Sequence, residues 1–382
     1  MVIQQPSGQK KLTNSTVSEL RFVKLTSPYE AITTGTDKAF GAAIADWCQA
    51  LEVARIPQVM QTFYQVYRQD EPIAFVVTHT LHKLNLARYF PASLKSFFLR
   101  LQQMGLSVFY LTILFAEIPL ANRPGIVFTV DLTPEEQDVV ESFVVNWLMA
   151  NCSYDLLCVK KAHGREIDGL ATVPFLANMA MDLPFDDFNH YVQQRSTNAR
   201  YTIRRNKRTF EEAGCYFQWR DTVAPFEAEI MALYDSTCAY HAQRDEMEVP
   251  IPIGKSYFDA LDQVQTLRKK VLTIWQKETM IGFGVMIESN GAWFFKICGL
   301  DYERAPAVRA YFNLYYELIA EALRHGVHYV DFGANTYETK RRIGASPRDT
   351  YYSLHFKKWL FKPLLYVLKM TVNNHKKETL AP

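Results

Sequence analysis

The chain has 382 residues, 48% hydrophobic and 21% charged, with a formal net charge of +2. This composition is that of an ordinary globular protein and excludes fibrous and disordered chains. Because the charges nearly balance, a basic binding surface must come from local clustering rather than from an overall excess of Lys and Arg.

The cysteines and the apolar runs of the sequence indicate the cellular compartment and whether the chain crosses a membrane. No C-x-x-C pair occurs and no histidine lies at metal-ligand spacing, so we expect neither a metal site nor a disulfide framework, but reduced thiols in a cytoplasmic protein. The polar start, MVIQQPSGQKKLTNS, lacks the apolar core of a signal peptide. The most lipid-like run, 106–116, is too short to span a bilayer and is followed by Glu117 and Pro119. We therefore expect no transmembrane helix.

The first half alternates helical and strand-like patterns after a polar tail at 1–36. Apolar residues at spacings of three and four within 37–70 predict two amphipathic helices broken near Pro57. Strands are predicted at 73–80, 106–115, 125–132, 156–160 and 171–181, and helices at 91–104 and 133–151. This alternation predicts a mixed α/β domain at 37–184.

A basic segment follows at 185–214. It is predicted to form a long helix that Gly214 ends, and to connect the two halves. Six cations without an intervening acid stand within it at Arg195, Arg200, Arg204, Arg205, Lys207 and Arg208. Helical spacing places Arg200, Arg204, Lys207 and Arg208 on one face, which favours phosphate binding. The alternative is a solvated face that pairs with neighbouring acids.

The second half, 215–382, has an informative order of elements. Strands are predicted at 215–220, 270–277, 282–288, 292–300, 327–332 and 351–356. Helices are predicted at 226–243, 256–264 and 308–325, the last of them long. The segment 354–370, LHFKKWLFKPLLYVLKM, predicts a last strand and a packed helix with lysines reaching solvent. Contact with an anionic membrane surface, or a cover over an acyl-chain tunnel, is the other interpretation.

Several sequence segments between residues 185 and 356 resemble those of a known protein family. They are YTIRRNKRTFEEAG, LYDSTCAYHA, WFFKICGL through AYFNLYYELIAEALRHG, and HYVDFG followed by YETKRRIGA. Together they span 185–356 and resemble the GNAT acyltransferase superfamily. The resemblance is to its two-domain branch, related to Fem-type peptidyltransferases and to acetyltransferase-like proteins of peptidoglycan biosynthesis and recognition. It implies mixed α/β sheets in two tandem GNAT-like domains.

The resemblance implies transfer of an acyl or aminoacyl group from an activated ester or thioester to an amine. In such folds two parallel strands diverge and their exposed N–H groups polarise the donor carbonyl. By analogy these strands are 292–300 and 327–332.

No cofactor is expected to be bound permanently; acyl-CoA or an acyl carrier protein would be the co-substrate, and an amine-bearing small molecule or peptide the acceptor. An aminoacyl-tRNA donor, disfavoured by the near-neutral charge, and a non-catalytic recognition module are the alternatives. Oligomeric state has no signature in the sequence.

One stretch departs from the superfamily pattern. GNAT enzymes usually bind the CoA pyrophosphate at a glycine-containing turn that begins a helix. The corresponding stretch here, 304–309, is RAPAVR, which has no glycine and a proline without an N–H group. Arg304 and Arg309 are candidate phosphate ligands in its place, and a donor carried on a protein or a tRNA is the other interpretation.

The loop after the last parallel strand holds the leading catalytic candidates. Asp331 ends that strand and is a candidate catalytic carboxylate or anchor for a substrate ammonium, with a turn residue as the alternative. Lys340, four residues before Gly344, matches a lysine of Fem-type relatives, so the resemblance implies oxyanion stabilisation, with a solvated lysine as the alternative. Asn335 and Tyr337 are candidate hydrogen-bond donors to substrate.

A helical face in the second half supplies a further set. His241 follows Tyr234 and Thr237 at spacings of seven and four, so all three share one face. An imidazole that titrates near neutral pH is a candidate acceptor for the proton of the attacking amine, and Tyr234 a substrate contact. A hydrogen-bonded structural histidine is the alternative.

Overall fold

The computed structural model describes residues 20–31, 41–56, 59–85, 92–105, 110–224, 226–242, 253–361 and 365. Within these ranges the strands are β1 (Leu20–Leu25), β2 (Val59–Arg68), β3 (Glu71–Asn85), β4 (Tyr110–Ile118), β5 (Arg123–Pro124), β6 (Ile126–Phe128), β7 (Leu156–Lys161), β8 (Ala171–Asp182), β9 (Cys215–Arg220), β10 (Lys269–Gln276), β11 (Thr279–Ser289), β12 (Ala292–Leu300), β13 (Tyr329–Asp331) and β14 (Ser346–Phe356).

The helices of the same ranges alternate with these strands. They are α1 (Gly41–Ala54), α2 (Ala92–Gln103), α3 (Pro134–Asn151), α4 (Phe188–Gln193), α5 (Thr197–Glu212), α6 (Glu227–Ala242), α7 (Lys255–Gln263), α8 (Ala310–Arg324) and α9 (Tyr337–Arg342), with short 3₁₀ turns at Pro28–Glu30 and Trp359–Phe361. None of the described helices is both long and apolar enough to cross a membrane.

One mixed sheet runs through both halves, in the order β1-β2-β3-β4-β7-β14-β8-β13-β12-β11-β10-β9. In the first half, β1 to β4 are antiparallel neighbours and β7 then pairs parallel with β4. The second half repeats the arrangement, with β9 to β12 antiparallel and β13 parallel to β12. This internal repeat confirms the prediction of a mixed α/β fold built from two similar halves.

The two halves exchange their last strands. β8 leaves the first half to pair antiparallel with β13, and β14 leaves the second half to pair antiparallel with β7. β8 and β14 also pair with each other, which joins the halves at the centre of the sheet. Each half is therefore completed by a strand of the other half. This exchange brings together residues that are far apart in the sequence. The predicted boundaries near 184 and 214 fall between β8 and β9.

The basic segment at 185–214 forms two helices, so the prediction of one long helix is wrong. Asp187 caps α4, and the hydroxyl of Ser196 accepts a hydrogen bond from the N–H of Ala199 to begin α5. Ile203 and Phe210 of α5 are buried in the same apolar cluster as α8. α5 is thus part of the second-half core, with its basic residues on the outer face.

Residues 59–68 are a strand, which corrects the second of the two helices predicted within 37–70. The sequence VMQTFYQVYR has apolar residues at helical spacings but also the aromatic and β-branched composition of strands. Pairing on both edges, with β1 and β3, decides between the two. The first predicted helix is present as α1.

In the second half the sheet is covered on both faces. α6 and α7, together with α1 of the first half, pack on one face with Phe294 and Ile297 of β12. α5 and α8 pack on the other face with Trp293 and Phe295. We call these the α6 face and the α8 face.

Gly299 lets α6 lie directly on β12. A Cβ at this position would be 2.4 Å from a ring carbon of Phe283 and 2.6 and 2.7 Å from backbone atoms of Leu233 and Tyr234. The hydroxyl of Thr237 on α6 accepts a hydrogen bond from the N–H of Leu300, 3.0 Å away. The close approach thus fixes the end of β12 against the helix that carries Tyr234 and His241.

We expect Gly299→Ala to lower the free energy of unfolding by about 1–3 kcal/mol, because the added methyl group meets backbone that cannot move without shifting α6. Urea unfolding measures the change. Gly254→Ser is the matched control, because its Cβ would meet nothing within 4 Å and it lies at the N-cap of α7. Equal stability of the two variants would contradict the close packing at Gly299.

Candidate active site

β12 and β13 diverge after a short parallel pairing. The register begins with Ala292 opposite Tyr329 and ends with Phe294 opposite Asp331. β12 continues to Leu300, whereas the chain after Asp331 turns away through Gly333 at φ 71°. The prediction that these two strands are parallel neighbours is confirmed, and their pairing ends at Phe294 and Asp331.

Lys296 lies on β12 just beyond the last paired residue. The register with β11 shifts here, since Val285 is opposite Ile297 and Met286 is opposite Phe295, so Lys296 is the extra residue of a bulge. Its Nζ donates to the carbonyl of Ala121 at 3.2 Å. The side chain is partly exposed, and burial lowers its pKa to about 7 against the opposing effect of Asp331.

Asp331 is buried and engaged on both carboxylate oxygens. Oδ1 accepts from the N–H of Gly333 at 2.7 Å, and Oδ2 accepts from Arg123 at 2.7 Å and from Asn178 at 3.4 Å. Arg123 belongs to β5 and Asn178 to β8, so first-half residues hold a second-half carboxylate. The carboxylate positions this loop and lies close enough to Lys296 to affect its pKa.

Lys340 is 3% exposed on α9. Its Nζ donates to the carbonyls of Gly333 at 3.1 Å and Ala334 at 2.7 Å, which uses two of the three ammonium hydrogens. Burial lowers its pKa to about 8, opposed by Cys298 and Asp331. Lys340 is therefore buried beneath the loop that follows β13. It is not the solvated lysine of the alternative interpretation.

A hydroxyl and thiol cluster lies on the α8 side of the divergence. The hydroxyl of Tyr311 lies 2.6 Å from that of Tyr315 and 2.8 Å from that of Thr336. Burial raises the pKa of the Cys298 thiol to about 11, and the nearby Lys340 ammonium opposes this rise. The cluster joins β12, α8 and the loop before α9 into one wall of the site.

The remaining predicted site residues are distributed around this centre. Tyr337 is buried and donates to the carbonyl of Ala177 at 3.0 Å, whereas Asn335 is exposed in the left-handed conformation at φ 67°. Tyr234 packs against the ring of Phe258 on the α6 face. His241, at the end of α6, contacts the rings of Tyr240 and Tyr302.

The candidate donor turn adjoins the basic helix. Asn313 donates to the carbonyls of Arg309 and Asn206, both at 3.0 Å, which brings the start of α8 against α5. Arg309 is exposed and in the left-handed conformation at φ 57°, while Arg304 pairs with Asp301 at 2.9 Å. The turn and the helix therefore lie next to each other on the α8 face, and each carries exposed arginines.

Within α5 the four predicted phosphate ligands differ in their contacts. Arg204 is exposed. Arg200 donates to the carbonyl of Gln193 and the hydroxyl of Thr197. Lys207 lies 5.0 Å from the ring centroid of Phe188, and Arg208 lies 3.7 Å from Glu212.

In the first half, the position that corresponds to the candidate site lies beyond the β4–β7 pairing and is occupied by β5 and by buried side chains. Beyond the β4–β7 pairing, β5 turns back onto Glu117 and Ile118 of β4. The Glu117 carboxylate accepts a hydrogen bond from Tyr352 and lies 3.9 Å from the ammonium of Lys160, which is 1% exposed. Of the two strand divergences, the one in the second half is thus the candidate site.

Among the described residues one group has the donor atoms of a metal site, namely Asp138, Glu141 and His163. Arg165 pairs with Asp138 at 2.7 Å and Lys161 with Glu141 at 3.4 Å. Two cations thus balance the two carboxylates, and the group is explained as an ion-pair cluster.

Residues 197–341 match the family model of the GNAT acetyltransferase domain. No curated protein gives a significant sequence match. One similar solved structure is the C-terminal domain of a protein named as a lysylphosphatidylglycerol synthetase, from Agrobacterium fabrum. The TM-score is 0.51 at 10% identity, over 89% of this chain and 96% of that one.

A second similar structure is that of FemX, with a TM-score of 0.51 at 10% identity, over 85% of this chain and 93% of that one. At this identity the likeness is one of fold, and in both cases it extends over both halves of the chain. The family match covers α5 to α9 and so contains the diverging strands. Residues 197–341 are therefore similar in sequence to the GNAT acetyltransferase domain, and the chain as a whole has a two-half fold similar to that of FemX.

Proposed function

We propose that the protein is an N-acyltransferase that moves an acyl group from a thioester to an amine where β12 and β13 diverge. The observation that carries the proposal is this divergence, which leaves β12 beyond Phe294 beside a buried lysine on α9. The GNAT family match supports the reaction class. All six cysteines lie within the described ranges, and none of them forms a disulfide bond there. The setting that we propose is the reducing cytoplasm.

The donor carbonyl is proposed to lie against β12, where backbone N–H groups polarise it. Attack by the amine forms a tetrahedral intermediate with negative charge on the former carbonyl oxygen. Lys340 stabilises this charge with its remaining ammonium hydrogen. Collapse of the intermediate breaks the carbon–sulfur bond, and the departing thiolate takes up a proton from solvent to form a thiol, while the proton of the amine passes to a base of the site.

The two faces of the sheet divide the substrates. The exposed arginines of α5 and of the 304–309 turn lie on the α8 face, so we place the phosphates of an acyl-CoA or of a carrier phosphopantetheine there, with Arg204 and Arg309 as ligands. The acceptor amine enters from the α6 face, where Lys296, Asp331 and Arg123 lie. Lys296 in its neutral form accepts the proton that the amine loses.

This assignment predicts a bell-shaped dependence of kcat/KM on pH. Lys296 must be neutral, so activity rises with pH through about 7; Lys340 must be charged, so activity falls as pH rises through about 8. The maximum is expected between these values. Lys296→Met should remove the rising limb and keep the falling one, and an unchanged rising limb in this variant would contradict the assignment.

A second candidate donor is an aminoacyl-tRNA. The glycine-free turn favours it over acyl-CoA, because Pro306 has no N–H to offer a pyrophosphate. The same diverging strands and Lys340 would act on the aminoacyl ester. Sensitivity of the reaction to RNase distinguishes this donor from the thioesters.

The test is incubation of the purified protein with acyl-CoAs, an acylated carrier protein or aminoacyl-tRNAs and a panel of amines, followed by mass spectrometry. We expect N-acylated product from one donor class, and formation of that product about 10²–10³-fold more slowly with Lys340→Met. Native mass spectrometry of the purified protein would identify a donor that stays bound. If no donor class gives product and a candidate amine still binds, the protein is a recognition module and the proposal is wrong.

A further inference from the structure

Four of the eight large apolar side chains that are exposed in the described ranges lie at one end of the first half. Phe97 of α2 is 55% exposed, Met104 77%, Tyr110 45% and Trp359 77%. The other four are Tyr29, Met60, Tyr201 and Tyr216. The four residues at this end come from three separate segments of the chain, so their clustering needs a structural reason.

The sheet register brings these segments together. β4 begins with Tyr110 opposite Asn85, the last residue of β3, and Asn85 exchanges amide hydrogen bonds of 2.8 and 2.9 Å with Gln102 of α2. β7 begins with Leu156, which is opposite Ile113 of β4 and Phe356 at the end of β14.

Side-chain packing joins the same segments underneath. Phe98 of α2 and Phe361, two residues after Trp359, pack on one apolar cluster of β4, β7 and β14. Phe97 lies next to Phe98, with ring centroids 5.2 Å apart. The exposed rings of α2 and of the turn after β14 therefore flank one patch.

Several cations lie beside this patch, together with one partly buried acid, Asp155, whose carboxylate accepts a hydrogen bond from the N–H of Thr112. Lys83, Arg100, Lys357 and Lys358 are exposed, and Lys95 partly so. The sequence has no acidic residue between Glu71 and Glu117, nor between Asp349 and Glu378. We call the exposed apolar residues and these cations the basic apolar edge. In a chain with a net charge of only +2 it is a marked local excess.

We propose that the basic apolar edge binds the surface of an anionic lipid bilayer. Tryptophan and other large apolar side chains enter the boundary between headgroups and acyl chains, while the flanking lysines and arginine contact lipid phosphates. A nucleic acid would instead require a basic groove that follows the phosphate backbone. Here the cations flank an apolar centre. The proposal is independent of the reaction assigned to the second half.

Sedimentation with vesicles tests it. The full-length protein is expected to bind vesicles of equimolar phosphatidylcholine and phosphatidylglycerol, to bind pure phosphatidylcholine weakly, and to be released from the anionic vesicles by salt. Phe97→Ser with Trp359→Ser, and separately Lys357→Glu with Lys358→Glu, should each reduce binding by about tenfold or more. The altered side chains are exposed, so circular dichroism should show an unchanged fold.

Tyr201→Ser with Lys277→Glu is the matched control, because it removes an exposed ring and reverses an exposed charge in the second half. It should bind the anionic vesicles as the wild type does. Equal loss of binding in this control would overturn the proposal. So would equal binding to both kinds of vesicle, or binding to single-stranded RNA without binding to vesicles.

Discussion

Replacing Lys340 by methionine is expected to lower kcat by about 10²–10³-fold with little change in the KM for the donor. The ammonium is buried, donates to two carbonyls, and lies close enough to Cys298 of β12 for the thiol to affect its pKa. Its charge matters most when the carbonyl oxygen becomes negative, so its loss should affect the transition state more than the bound donor.

Arg342→Met is the matched control for Lys340→Met. Arg342 lies two residues further along α9, and its ion pair with Glu338 is solvent-exposed. Steady-state kinetics should therefore show near-wild-type kcat for this variant. A Lys340→Met enzyme that folds and keeps full kcat would remove Lys340 from the mechanism. A rise in KM alone would make it a binding residue.

The largest effect on stability is expected at Arg123. Its guanidinium is 2.7 Å from a carboxylate whose side chain is 4% exposed, so Arg123→Met leaves Asp331 charged and buried without its cation. Loss of one partner of such a pair costs about 3–5 kcal/mol in the free energy of unfolding. The same variant should lose activity, because the loop after β13 loses the anchor that the first half provides.

A double-mutant cycle separates the ion pair from general packing. Arg123→Met with Asp331→Asn should cost less than the sum of the single changes, with a coupling of about 1 kcal/mol or more, because the buried charge is then removed with its partner. Arg324→Met, which breaks exposed ion pairs on α8, should cost about 1 kcal/mol or less. Additive costs at Arg123 and Asp331 would show that the two groups do not stabilise each other.

Local patterns in the sequence predict much of the second half. β12 is present with the predicted bounds, and α6, α7 and α8 agree within a few residues, because apolar periodicity and glycine stops are local signals. The basic segment was misread because Ser196 stops one helix and starts another inside a continuous run of polar residues. β2 was misread because its spacing fits both helix and strand, and only pairing with two neighbours decides.

The partners of the site depend on contacts that no local pattern shows. Arg123 and Asp331 are 208 residues apart, and they meet because β8 and β14 cross between the halves. Lys296 had a visible signal, since it is a single charge within the apolar strand AWFFKICGL. Its proximity to Asp331 and Arg123 becomes evident only in the folded chain. Tyr311 and Tyr315 were also visible in the sequence, as two hydroxyl-bearing residues four positions apart that follow the donor turn.

The most direct test of the central claim is a crystal structure of the protein with a 2-oxoalkyl thioether of phosphopantetheine. In this stable analogue a methylene group separates the sulfur from a ketone carbonyl that stands in for the thioester carbonyl of acyl-CoA or of an acyl carrier protein. We expect its carbonyl oxygen within hydrogen-bonding distance of β12 beyond Phe294 and of Lys340, with its phosphate near Arg309. An analogue bound at the β4–β7 divergence, or with its carbonyl far from β12, would contradict the account.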